Sequence, residues 1–174
     1  MSAMKMLNTE VFVAEDRLVT VDCAQIKILK EQAARNPRRR VRLCAHKDVQ
    51  DRLHEMLIVM GRDIYVRPHK HLRKTESFHV VEGTATVVFF EESGAIDEVV
   101  HIGDFLSGGV FYFRNDEPRY HTQIITSEFL VVHEITNGPF NRADTVFAPW
   151  APDEADTAIV AGYLERLKRA IATS

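Results

Sequence analysis

Only two of the 174 residues are cysteine, Cys23 and Cys44, so no disulfide framework holds this chain together. With no secretory signal at the start, both thiols are expected to be reduced in a cytoplasmic protein. The opening MSAMKMLNTEVFVAED has no apolar stretch of signal-peptide length, and no later run is long enough to span a membrane. A large excess of either charge is also missing. A formal net charge of −3 argues against a general nucleic-acid binder. Repeats, low-complexity tracts and linkers are missing, which points to one domain over residues 1–174. The 45% hydrophobic content is ordinary for such a domain and sufficient for one core.

The residues that are present read mainly as β. Near the start, Val11-Phe12-Val13 and Leu18-Val19-Thr20-Val21 predict a strand pair split by a polar turn. Asp22 is a predicted N-cap for a short helix carrying Ile26, Leu29 and Ala33 at helical spacing, ended by Asn36-Pro37. These elements form an N-terminal extension, 1–37. A β core over 38–136 follows, with strands expected at 39–45, 55–60, 64–71, 76–82, 84–91, 97–102, 110–114, 119–125 and 128–135. Turn signals such as Glu82-Gly83 and Ser93-Gly94 separate them. Many short strands at close spacing indicate an all-β sandwich or barrel. The remainder, 137–174, closes with a helix from about 154 to 172, whose Ile159, Tyr163, Leu167 and Ile171 form one apolar stripe.

Chemistry concentrates at Pro68-His69-Lys70-His71. Side chains on a strand alternate faces, so His69 and His71 project to the same side. Glu76 opens the next strand-like run after the connection Leu72-Arg73-Lys74-Thr75. Two imidazoles and a carboxylate suit a divalent first-row metal and leave positions for a fourth ligand, water or substrate. If Glu76 faces inward, Phe78 and Val80 share its face and His79 does not. His54, His79, His101 and His133 read as ordinary surface or core residues. Cys44 reads as a small buried hydrophobe.

His69-x-His71-x4-Glu76-x6-Gly83 resembles the first cupin motif, and Tyr120-His121-Thr122 resembles the later strand that supplies the fourth ligand. Over nearly the whole chain the sequence is similar to the WbuC family. Four motifs carry that likeness: Arg40-x-Arg42-x-Cys44-x-His46, Tyr65-Val66-Arg67-Pro68-His69-x-His71, Glu134-x3-Gly138-Pro139-Phe140 and Phe147-Ala148-Pro149-Trp150-Ala151-Pro152. The resemblance implies a cupin double-stranded β-helix, a small jelly roll. It also implies one divalent transition metal (Fe, Mn, Ni or Zn) on His69, His71, Glu76 and His121. WbuC-type proteins are often encoded among genes for bacterial surface-polysaccharide synthesis, and cupins are commonly homodimers.

Alternation extends the site. Tyr65 and Arg67 share the parity of His69 and are expected to face inward, Arg67 meeting a carboxylate such as Glu134 or an anionic ligand. Gln123 shares the face of His121 and can orient a sugar hydroxyl. Arg42 and His46 lie on one face of their strand, either as an anion-gripping rim or as a charged edge. The family pattern favours the rim. The expected function is a metal-dependent isomerase or epimerase acting on a phosphorylated or nucleotide-linked sugar, with Glu134 or His46 moving the proton. The alternatives are an iron-dependent dioxygenase and a non-catalytic sugar or small-acid binder. Expected partners are a small anionic ligand and a second copy of the chain, with neither nucleic acid nor membrane.

Overall fold

Residues that pair directly across neighbouring strands share a face, so the strand register of the computed structural model sorts the side chains into layers. The structure describes residues 2–173. The first strands are β1 (Met4–Asn8) and β2 (Val11–Ala14), followed by helix α1 (Cys23–Arg35). Next come β3 (Arg40–Cys44), β4 (Leu53–Gly61), β5 (His69–His71), β6 (Glu76–Glu82) and β7 (Thr84–Phe90). The chain continues through β8 (Ile96–Gly103), β9 (Tyr112–Asn115), β10 (Tyr120–Ile125), β11 (Phe129–Asn137) and β12 (Thr145–Phe147). Helix α2 (Thr157–Ile171) closes it.

Two sheets face each other, one of seven strands in the order β1-β2-β3-β4-β11-β6-β9 and one of five in the order β12-β5-β10-β7-β8. Within the seven-stranded sheet, β11 lies antiparallel between β4 and β6, pairing Glu134 with Met56 and Phe78. In the five-stranded sheet, β10 pairs His121 with His69 on one side and Phe89 on the other. Met56, Ile58, Phe78, Val80, Val87, Phe89, Leu130 and Val132 fill the space between the sheets. This is a jelly roll, the form that the family resemblance implies within the all-β sandwich or barrel that the strand pattern predicts.

A helix packs on each outer face. Asp22 accepts from the amides of Ala24 and Gln25, and the Gln25 side chain accepts from the Asp22 amide, a capping box that starts α1. Leu29 and Ala33 on that helix are fully buried against Val41, Leu43, Val59 and Val131 of the seven-stranded sheet. Full burial of Leu29 is worth about 1.5–3 kcal/mol. On the other side, Leu167 of α2 joins Val88, Phe90, Tyr120 and Ile124. Val160, not the expected Ile159, is the first buried residue of that stripe, and Ile159 is 58% exposed.

Four strand expectations change, the first being β1, which was not expected. Residues 18–21 form no strand, because one edge of β2 is taken by β1 and the other by a parallel pairing with β3. The N-terminal strands are therefore members of the seven-stranded sheet and do not lie outside the β core. The expected strand 64–71 shrinks to β5, since Pro68 has no amide to donate and Ile64 turns back to the Gly61 carbonyl. Strand β12 was not expected. It has only three residues and acquires its regularity from pairing with β5.

Candidate metal centre

Pairing of β5 with β10 brings His121 directly beside His69, and the period of two places His71 on the same inner face. One ring nitrogen from each of His69, His71 and His121 lies within 4.8 Å of the other two. The ring centroids are 5.0 Å apart for His69–His71 and 4.7 Å for His69–His121. Glu76 reaches across from the opposite sheet. Its Oε1 lies 3.0 Å from His71 Nε2 and its Oε2 3.3 Å from His121 Nε2. Phe78, which follows Glu76 on the inner face, is buried, whereas His79 is exposed.

The far side of every ring is held. His69 Nδ1 donates to the Arg67 carbonyl at 2.8 Å, and His121 Nδ1 donates to the Arg119 carbonyl at 3.0 Å. A carbonyl only accepts, so Nδ1 carries the proton in both rings and Nε2 presents a lone pair in the neutral form. His71 Nδ1 meets Thr145 Oγ1 at 3.1 Å. Three Nε2 atoms oriented from behind, with a carboxylate beside them, fit a divalent transition metal in a nitrogen-rich site. Thr145 gave no signal in the sequence. Its role depends on the pairing of β12 with β5, which only the fold reveals.

Protons report the same crowding. Burial, then the neighbouring His121 and His71, lower His69 to about 3. Burial is the largest influence on His121 and would lower it, but the hydrogen bond and charge of Glu76, the Arg119 carbonyl and the charge of Glu134 together raise it. Glu76 is pushed upward by burial, yet the hydrogen bonds from His121 and His71 hold it well below the usual carboxylate range. Glu134 behaves oppositely. Burial, reinforced by the charge of Glu76, raises it to about 7 against the partial compensation of Arg42, Lys74 and His121. Among the described residues it has no ion-pair partner. Aromatic rings line the neighbourhood: Phe78 stacks on Phe113 at 5.1 Å, Phe89 packs on His121 at 5.8 Å, and Phe147 packs on His69 at 6.2 Å.

The other predicted residues divide. Gln123 is buried one inner position beyond His121, with no hydrogen-bond partner for Oε1 among the described residues. Arg42 shares the inner face with Ile58, its Nη1 3.9 Å from Met56 Sδ and no carboxylate paired to it among the described residues. Arg40 is instead committed to Glu10 at 3.1 Å. His46 stacks on His54 at 4.1 Å, its Nδ1 3.2 Å from the Glu55 carbonyl, and burial lowers its pKa. Arg67 does not meet Glu134. It pairs with Asp153 at 2.6 Å and stacks on Phe147 at 4.9 Å. Tyr65 donates to the Pro152 carbonyl at 3.0 Å and packs against Tyr163. Once the chain leaves regular strand geometry before Pro68, parity no longer predicts direction. Both side chains turn to the segment between β12 and α2.

A family model described as a domain of unknown function, DUF6016, matches residues 21–102, a little under half of the chain. That span includes His69, His71 and Glu76 and stops short of His121. No curated protein matches the chain. Among solved structures, the chain is similar to protein SO0799 from Shewanella oneidensis, with a TM-score of 0.51 and 10% identity over 61% of this chain and 72% of that one. It is also similar to L-ribose isomerase from Cellulomonas parahominis, with a TM-score of 0.50 and 17% identity over 64% of this chain and 70% of that one. Oxalate decarboxylase from Lactobacillus farciminis gives 0.44 at 14% identity, over 56% of this chain and 27% of that one. The first two share with this chain the cupin double-stranded β-helix, a likeness of fold alone.

Proposed function

We propose that this cupin-fold chain is a WbuC-type, metal-dependent enzyme acting on a phosphorylated or nucleotide-linked sugar in bacterial surface-polysaccharide metabolism. The observation that carries the reading is three histidines, each anchored through Nδ1, converging with Glu76 inside the barrel. A bound Fe, Mn, Ni or Zn would supply Lewis-acid polarisation of a substrate oxygen there. Glu134, raised to about 7, sits near the pH at which a group both accepts and returns a proton, as isomerisation or epimerisation requires. His46, held toward its neutral form, is the second proton carrier. Arg42, with no carboxylate at ion-pair distance among the described residues, takes the anionic group, and Gln123 Oε1 takes a hydroxyl. Arg67 and Tyr65 hold the segment after β12 beside His69. The fold accommodates sugar isomerisation in another protein, the L-ribose isomerase. No described helix is long and apolar enough to cross a membrane, and both cysteines are free; the cytoplasm is the proposed place of action.

The aromatic wall of Phe78, Phe89 and Phe113 favours a second reading, an iron-dependent dioxygenase with an apolar pocket beside the metal. Metal analysis and turnover decide between them. The preferred reading expects activity on sugar phosphates or nucleotide sugars with Mn, Ni or Zn in the absence of oxygen. Iron with oxygen uptake supports the second reading, and ligand retention without turnover reduces the protein to a binder. His71→Ala and His121→Ala should each lose stoichiometric metal by elemental analysis, and a full equivalent in both would remove the centre. Arg42→Ala should keep the metal but weaken an anionic ligand by about 2–5 kcal/mol in calorimetric titration.

A further inference from the structure

The outer face of the seven-stranded sheet is only partly covered by α1. Beyond the helix lies a cavity of about 360 Å³, walled by Val19, Val21 and Leu57 and bordered by Glu55, His79 and His133. His79 on β6 and His133 on β11 are direct cross-strand partners. Their Cβ atoms are therefore roughly 5 Å apart on one face, within reach of a single ion. His133 Nε2 already lies 3.8 Å from Glu55 Oε1, and both side chains are about one-third exposed or more. His79 is exposed and rests against Phe111 at 6.0 Å, free to swing toward His133 by a rotamer change.

We propose that His79, His133 and Glu55 form a second cation site, for a divalent transition ion such as zinc, nickel or copper. Two imidazoles and one carboxylate are the donors such ions prefer, whereas calcium and magnesium take oxygen ligands. The apolar walls close one side and leave the remaining coordination positions to water. Strand alternation puts this site on the opposite face of the sheet from Glu76 and Phe78, so the two sites fill independently. The assignment does not rest on the catalytic reading of the inner histidines.

Zinc chloride and nickel chloride titrated into the intact protein, followed by calorimetry and equilibrium dialysis, test it. The expected result is an additional equivalent that survives His71→Ala, the substitution aimed at the inner site. That equivalent should weaken at least tenfold in His133→Ala and in His79→Gln. These positions are on the surface, and unchanged circular dichroism would confirm that both variants fold. Nitrogen hyperfine structure from two imidazoles in the copper-loaded His71→Ala protein would support the same ligands. An additional equivalent with unchanged affinity in either single variant overturns the site, as does no metal uptake by His71→Ala.

Discussion

Glu134 is a carboxylate whose largest influence is burial and whose second is the charge of Glu76. In the unfolded chain it ionises near its ordinary value of 4.5, and in the folded chain near 7. Between those values the folded state holds a proton that the unfolded state has lost. Its contribution to stability is thus intact below about pH 4.5 and is lost as pH rises through about 7. A shift of this size corresponds to about 3 kcal/mol at most. Glutamine stays neutral throughout. Metal-free Glu134→Gln should therefore match its parent in urea unfolding at pH 4.5 and exceed it at pH 8. Parallel stability curves across that range would remove the buried-acid description of Glu134, and with it the basis for its proton transfer.

At the scale of elements, the informative piece is β12. Its three residues pair with β5 so that Thr145 faces His71 and Phe147 faces His69. The strand thus acts on the centre from behind, holding rings through Thr145 Oγ1 and through the contact of Phe147 with His69. Loss of such a supporting hydrogen bond typically weakens metal binding by roughly ten- to a hundredfold. Thr145→Ala should do so while leaving the thermal transition of the metal-free protein nearly unchanged, since Thr145 is only half-buried. Equal metal affinity in Thr145→Ala and wild type, measured by chelator competition, would confine β12 to a role in covering the sheet edge.

For the whole molecule the question is what covers the sheet edges. Strand β1 ends the seven-stranded sheet and leaves Met6 56% and Leu7 58% exposed. An edge with apolar side chains is an invitation to pair, and symmetric dimers are the commonest outcome. The homodimer proposed here would place β1 against its copy across a two-fold axis. Light scattering at micromolar concentration should then give twice the mass of one chain. Removing residues 1–9 takes β1 away and should shift the protein toward monomer or aggregate. A stable monomer of the full chain at high concentration would rule the dimer out.

Local pattern was enough for what depends on neighbours in the chain. The inward parity of His69 and His71, the nearby Glu76, the Asp22 cap and the apolar periods of most strands all follow from spacing over a few residues, and the structure brings the two histidines and Glu76 together. Pairing across distance was decided by the tertiary structure. Which edge Met4–Asn8 would take, that Arg67 would meet Asp153 and not Glu134, and that Thr145 would stand behind His71 depend on segments brought together from far along the chain. The raised pKa of Glu134 belongs to the same class, because burial and the charge of a residue on a neighbouring strand set it. Side-chain parity is a property of one strand and is written locally. Strand order is the outcome of competition among all possible edges, which packing of the complete chain resolves.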